Sequence, residues 1–469
     1  MRRLCLLLLL FSLSLDGYAQ SATLSARLDS VVRRLLPEGS QVGICAYDLE
    51  ADRLLYAYQA DQLSRPASNM KLLTAITALS YPQGEEPFRT EVWTDGILQN
   101  DTLLGNLYVV GGMDPEFSDS SLDSLVSQLA HLPLHRIEGV LYGDVSLKDS
   151  LYWGAGWSWD DTPEAYQPYL SPLMLHKGVV ELTVRPTDTG EPAAVSCIPS
   201  STYYTIHNQT RSHTPPAGRF RLTRNWLENG NRLLISGNVT GERIASINLY
   251  SSADFFMHTL RQRLEANGVE LAHAGYAFRE CVRDSSAKLL ACYETPIQPI
   301  LNQLMKESDN LNAEALLYRL GWQDSGHRHV SAQEGLDAVR ALIREMGLRP
   351  EQYKIADGCG LSNYNYVSPR LLVAFLRYAY AHPSLFARLY ESLPVGGTDG
   401  TLEFRMRRGT RSYRNVHAKT GTITGISTLS GYLRRANGHL TAFSIMNQNV
   451  LSAREARALQ DAVCDELIR

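Results

Sequence analysis

Ser68-Asn69-Met70-Lys71 places a hydroxyl and an amine three residues apart at the start of a run that reads as a helix. Residues at i and i+3 share a helix face, so the two groups can hydrogen-bond. A serine is a poor nucleophile until a base takes its proton, and a lysine of lowered pKa can be that base. Backbone N–H groups at the helix start would stabilise an oxyanion on the attacked carbonyl. Ser308-Asp309-Asn310 offers a second hydroxyl and an amide just before a helix start at Leu311. Lys419-Thr420-Gly421-Thr422 adds a cation and two hydroxyls, a set suited to a carboxylate, ahead of a strand pattern at Ser427–Leu433. Gly421 would let a substrate backbone approach and pair with that strand. Singly each motif is weak. Ser285-Ser286-Ala287-Lys288 also fits Ser-x-x-Lys, in what reads as a solvated turn. Ser236-Gly237-Asn238 and Ser246-Ile247-Asn248 fit Ser-x-Asn, and read as turns or helix caps.

The elements that must position these groups show in the periodicity. Leu24, Leu28, Val31, Val32 and Leu35 have the spacing of a helix with one buried face over Leu24–Leu36. Val42–Tyr47 and Leu54–Tyr58 read as a hairpin. The Ser68 helix buries Leu72, Leu73, Ile76 and Leu79 and ends before Pro82. Thr428–Leu433 and Leu440–Met446 flank Asn437-Gly438, a strong turn signal. Ser452–Leu467 is a last amphipathic helix, capped by Ser452. Helices and strands at both ends predict one α/β unit of α+β type, closed by the two chain termini. From 84 to 289 the chain is instead rich in short strand patterns, such as Leu104–Val110, Val179–Val184, Phe220–Thr223 and Leu233–Val239. Helical patterns appear there at Leu122–Leu129 and Ala253–Glu265. This stretch reads as an insertion large enough for two small domains.

At roughly 100–200 residues per domain, 469 residues allow two to four domains. Hydrophobic residues at 44% and charged residues at 20% exclude a disordered, fibrous or polytopic membrane chain. With 45 Lys plus Arg against 49 Asp plus Glu, the net charge of −4 gives no reason to propose a nucleic-acid partner. The run Arg405, Arg407, Arg408, Arg411 and Arg414 reads as a solvated loop or one side of a site. Met1-Arg2-Arg3, the apolar run Leu4–Leu15 and Gly17-Tyr18-Ala19 describe a secretory signal peptide cleaved after Ala19, or failing that after Ala22. That run is too short to span a bilayer, and no other stretch is long enough. Past Cys5, the six cysteines Cys45, Cys197, Cys281, Cys292, Cys359 and Cys464 show no metal-ligand spacing. Cys281 and Cys292 flank a turn and can pair; spacing leaves that open.

In this order, on an exported chain, Ser-x-x-Lys, Ser-Asp-Asn and Lys-Thr-Gly resemble the trio of β-lactamases and penicillin-binding proteins. The long separation of Lys71 from Ser308 exceeds that of β-lactamases. Further matches are Gly105-Asn106-Leu107-Tyr108, Gly111-Gly112-Met113-Asp114-Pro115, Gly156-Trp157-Ser158-Trp159-Asp160-Asp161, Asp357-Gly358-Cys359-Gly360-Leu361-Ser362, Leu393-Pro394-Val395 and Asp399-Gly400-Thr401-Leu402. Together they resemble the class C low-molecular-mass penicillin-binding proteins, the D-Ala-D-Ala carboxypeptidase/endopeptidase family. The sequence departs from that family at Cys359 and Asn363, where Ser and Arg are usual, and at Leu175-His176-Lys177-Gly178, a change expected to alter loop structure only.

The resemblance implies a β-lactamase/transpeptidase-like catalytic domain (24–83 plus 290–469) with an antiparallel sheet and flanking helices. It also implies an inserted domain (84–174 plus 246–289) and a nested β-rich domain (175–245). By resemblance, Ser68 is the acylated nucleophile and Lys71 its base, while Ser308 and Asn310 relay a proton and hold the substrate amide. Lys419 tunes Lys71 by like charge and, with Thr420 and Thr422, holds the terminal carboxylate beside Gly421. The backbone N–H groups of Ser68 and Thr422 form the oxyanion hole. Trp157, Asp160, Asp161 and Tyr166 are the candidates that meet the side chain of the stem peptide. The expected partners are peptidoglycan stem peptides and β-lactam antibiotics, in the periplasm, with no metal or cofactor and no stated oligomeric state. A β-lactamase, and a non-hydrolysing peptidoglycan-binding or penicillin-sensing module, are the rival readings. The first needs a deacylating carboxylate, for which Glu314 is unpersuasive, and the second needs a damaged trio.

Overall fold

The computed structural model describes residues 24–82 and 84–469, so the signal-peptide reading lies outside the described residues. The chain divides into two compact units. The first comprises 24–81, Leu301–Asp309 and Leu336–Arg469, and the second Pro82–Ile300 and Asn310–Gly335.

In the first unit a five-stranded antiparallel sheet is built from β1 (Gln41–Asp48), β2 (Arg53–Tyr58), β3 (His417–Ile423), β4 (Ile426–Arg434) and β5 (Leu440–Gln448). The spatial order is β3-β4-β5-β1-β2, so the two ends of the sequence meet at the centre and β3 is an edge. The β1–β2 hairpin forms as expected, with a register shift at Ala46/Tyr47. Gly438 turns β4 into β5 at a φ of +88°, a conformation open to glycine. All nine residues of β5 and eight of nine in β4 are buried. Antiparallel strands usually alternate, but here helices cover both faces.

On one face lie α1 (residues 24–35) and a C-terminal helix, Ala453–Ile468. Their Leu28, Val32, Leu459, Val463 and Leu467 pack with Val42, Ile44, Leu429 and Phe443 in one core cluster. Each such side chain contributes about 1.5–3 kcal/mol on burial. Arg27 and Glu466 clasp the two helices at 2.7 Å. Towards the other face lie α2 (Met70–Ser80) and α3 (Pro369–Ala381). Ser368 caps α3 by accepting from the Leu371 N–H, with Pro369 at the first helical position. Tyr432 of β4 donates its hydroxyl to the Leu376 carbonyl of α3 (2.8 Å).

The second unit holds a five-stranded sheet (Tyr276–Phe278, Leu141–Asp144, Leu107–Val110, Phe88–Thr94, Lys288–Thr295), a four-stranded sheet and two three-stranded sheets. Helices Asp119–Ala130 and Ser252–Ala266 cover their shared core through Leu122, Leu125, Phe255 and Phe256. The Leu104–Val110 pattern is two strands, Thr102–Leu104 and Leu107–Val110. Gly105 breaks it at a φ of +153°, because a Cβ there would lie 2.4 Å from the Gly96 Cα. The two expected turns at Ser236 and Ser246 are strand interiors instead, in Arg232–Val239 and Arg243–Asn248. Asn248 is there for structure: fully buried, it donates to the carbonyls of Thr162, Glu164 and Gln167 and accepts from Arg224. Ser286 is tied to Asp284 in a turn. The six described cysteines are free thiols, so Cys281 and Cys292 do not pair.

Candidate active site

Ser68 sits in a single 3₁₀ turn, Ala67–Asn69, that leads into α2. Ala67 before it has a φ of +46°, a left-handed conformation that costs a non-glycine residue about 1–3 kcal/mol. Ser68 is half-buried, and Lys71, one turn on, is fully buried. Lys71 Nζ donates to Ser68 Oγ at 2.9 Å and to the Cys359 carbonyl at 2.8 Å. That hydroxyl–amine distance is within the reach required for proton transfer.

Ser308 is also left-handed, with a φ of +63°, and terminates the helical run that ends at Glu307. Its hydroxyl accepts from Lys419 Nζ at 2.8 Å, and Lys419 also donates to the Thr420 carbonyl at 2.9 Å. Lys419 is completely buried in β3, and its pKa is lowered well below the usual lysine value. Burial is the main cause and the positive charge of Lys71 the second, partly opposed by Glu307. Thr420 Oγ1 donates to Thr401 Oγ1 (2.7 Å), and Thr422 is exposed near the end of this edge strand.

Gly421 is buried, and a Cβ on it would lie 2.2 Å from Thr428 Oγ1, 2.9 Å from the Pro66 carbonyl and 3.0 Å from the Ser68 backbone nitrogen. The reason for glycine here is the approach of β3 to the nucleophile's own turn. Asn69 locks the same junction, donating to Thr428 Oγ1 (2.7 Å) and to the Lys419 carbonyl (3.2 Å). Thus the first unit brings together Ser68, Lys71, Ser308, Lys419, Thr420 and Gly421 from three distant segments.

Thr422 lies on β3 of the same unit, and the other candidates, Asn310, Trp157, Asp160, Asp161 and Tyr166, belong to the second unit. Asn310 opens the helix Asn310–Ser325 and donates to the Tyr166 carbonyl at 2.8 Å. Asn312 in that first turn donates to Glu116 (2.7 Å), which also accepts from Lys177 (2.8 Å). The departure at Lys177 is therefore more than a loop change. Asp160 and Asp161 lie in a 3₁₀ turn, Trp159–Asp161. Tyr166, about half exposed, donates its hydroxyl to Asp161 at 2.7 Å. Burial and the neighbouring Asp161 raise that phenol's pKa, so it stays protonated. Trp157 is half-buried against Gly154, where a Cβ would meet its indole nitrogen at 2.6 Å.

Local spacing gives no role to two groups that the structure places at the site. They are Asn69, an unspecified position of Ser-x-x-Lys, and the Asp357–Ser362 segment, whose Gly358 and Cys359 carbonyls accept from Thr74 and Lys71. Asn363 is reached by Arg65, whose Nη1 donates to its Oδ1 at 3.3 Å. Of the arginine run, Arg407, Arg408, Arg411 and Arg414 are exposed, whereas Arg405 pairs with Asp461 at 2.5 Å.

Compared with known proteins, residues 24–467 match the profile of the D-Ala-D-Ala carboxypeptidase 3 (S13) family. The chain is 31% identical over 467 residues to a D-alanyl-D-alanine carboxypeptidase of Actinomadura sp. (strain R39), covering 96% of this chain and 85% of that protein. It is 28% identical over 426 residues to the D-alanyl-D-alanine carboxypeptidase DacB of Haemophilus influenzae, covering 87% and 85%. The crystal structure of penicillin-binding protein 4 from Haemophilus influenzae has a similar fold, with a TM-score of 0.80 at 24% identity over 93% of this chain and 97% of that one.

Proposed function

The chain belongs to the D-Ala-D-Ala carboxypeptidase 3 (S13) family, and from that premise we propose how its residues perform a serine-type carboxypeptidase reaction. Ser68 Oγ attacks the carbonyl of the penultimate D-Ala while its proton passes to Lys71 Nζ, 2.9 Å away. The backbone N–H groups of Ser68 and Thr422 receive the oxyanion. Collapse of the tetrahedral species breaks the amide bond. The leaving amine takes a proton delivered from Lys71 through Ser308, and the terminal D-Ala departs. A water molecule, deprotonated in the same way, then hydrolyses the Ser68 ester and releases the shortened peptide.

The Lys419–Ser308 contact supports the rest of the assignment. A buried ammonium is costly, and a carboxylate brought next to it offsets that cost. Lys419, Thr420 and Thr422 therefore hold the terminal carboxylate of the substrate, and the charge on Lys419 favours the neutral, basic form of Lys71. Asn310 holds the substrate amide, and Trp157, Asp160, Asp161 and Tyr166 meet the stem side chain; these roles are carried over from the family motifs. The natural substrates are peptidoglycan stem peptides or their cross-links, and β-lactams acylate Ser68 in their place. The N-terminal sequence pattern supports export, and resemblance to the family supports the periplasm as the destination.

The observation that carries this reading is the Ser68–Lys71 contact at a buried lysine. The test is release of D-Ala from a synthetic peptide ending in D-Ala-D-Ala, and of monomers from cross-linked muropeptides. Ser68→Ala is expected to lose more than about 10³-fold in kcat. Turnover retained by that variant would refute the mechanism.

A further inference from the structure

We propose that Asp357 is a positioning residue for this reaction, acting through the backbone of Cys359 to orient the amine of Lys71. The inference rests on the reading of Ser68 and Lys71 given above.

The Asp357 carboxylate is fully buried and serves as the hub of a tight turn. One oxygen accepts from the Gly360 N–H (2.8 Å) and Asn365 Nδ2 (2.7 Å). The other accepts from the Ser362 N–H (2.6 Å) and the Cys359 thiol (3.4 Å). Gly360 completes the turn at a φ of +87°, and a Cβ there would lie 1.8 Å from the Ala67 carbonyl. The turn is thus pressed against the residue that precedes the nucleophile.

Its two central carbonyls face α2. Gly358 accepts from Thr74 Oγ1 at 2.7 Å and Cys359 from Lys71 Nζ at 2.8 Å. Lys71 and Thr74 are one turn apart on the same helix face, so consecutive carbonyls of a single fixed loop meet consecutive donors of a single helix. A neutral amine has two N–H donors and one lone pair. An N–H held by the Cys359 carbonyl restricts rotation about the terminal C–N bond and turns the lone pair to Ser68 Oγ. The carboxylate sets where that carbonyl points. An Asn side chain would aim its NH₂ group at N–H donors on one side, which the turn accommodates only by shifting.

The test is the acylation kinetics of the full chain with benzylpenicillin, separating the affinity for unreacted antibiotic from the first-order acylation rate and from the final adduct stoichiometry. For Asp357→Asn we expect an acylation rate about 10²-fold lower, the scale of an ångström-level misplacement at a reacting centre. The antibiotic affinity and the full equivalent of adduct should persist. Thr74→Val, which removes one donor without touching Lys71, should lower the rate in the same direction by about tenfold, roughly one lost hydrogen bond. Asp357→Asn protein that acylates at the wild-type rate, with full or reduced stoichiometry, would overturn the proposal and leave Asp357 a purely structural residue. Should Asp357→Asn fail to fold, an unchanged rate in Thr74→Val overturns it instead. Failure of wild-type protein to form an adduct would count against the acyl-serine reading itself.

Discussion

The amine of Lys419 lies 2.8 Å from the hydroxyl oxygen of Ser308, with the lysine side chain shut away from solvent. Burial first and Lys71 second lower its pKa well below the usual lysine value. Between that lowered pKa and the unfolded value of about 10.4, the unfolded chain binds the extra proton, so this group's contribution to stability rises with pH across that window. Below the folded pKa the buried charge exerts its full penalty. Denaturant unfolding of wild type and Lys419→Met should therefore diverge in favour of wild type as pH rises to about 10. Parallel curves would contradict the lowered pKa.

Gly421→Ala tests the junction between β3 and the nucleophile's turn. The added Cβ would meet Thr428 Oγ1, the Pro66 carbonyl and the Ser68 nitrogen, two of them backbone atoms that cannot swing aside. A displacement of β3 by about 1 Å should cost about 10²-fold in acylation rate. Stopped-flow acylation with a chromogenic β-lactam measures it, and a wild-type rate would contradict the close approach.

Asp114 offers a pH test in the second unit. Burial raises its pKa to about 6, opposed by hydrogen bonds from the Thr295 hydroxyl and the Glu116 N–H. From about pH 4 to about pH 6 the native state holds a proton that the unfolded chain has lost, so its contribution to stability falls as pH rises through this window. Asp114→Asn keeps the neutral shape and removes the dependence. It should gain at most about 3 kcal/mol over wild type at neutral pH and little near pH 4. Equal stability of the two at every pH would contradict the shift.

These tests also mark what was legible in the sequence. The terminal helices, the β1–β2 hairpin and the Asn437-Gly438 turn were readable because apolar spacing and turn chemistry are local. The three motifs were readable as chemistry because each holds its reactive groups within four residues. The contacts among them were not, since β3 reaches Ser68 across some 350 positions. Gly421 shows this well: its local reading was room for a substrate, whereas its neighbours prove to be Ser68 and Pro66. Ser246-Ile247-Asn248 looked like a turn until pairing with the Val179–Arg185 strand placed it in a sheet. Asp357 carries no motif chemistry of its own and acquires a role only through the backbone groups it gathers. β4 and β5 were readable as strands from the Asn437-Gly438 turn between them, although burial on both faces removes the alternation usual in antiparallel strands.

The central claim is that Ser68 is the acylated residue. Intact-mass spectrometry of the protein with benzylpenicillin, followed over hours beside Ser68→Ala, tests it most directly. The account predicts a persistent adduct of one penicilloyl group on wild type and none on the variant. An adduct of equal yield on Ser68→Ala, or none on folded wild-type protein, would contradict it.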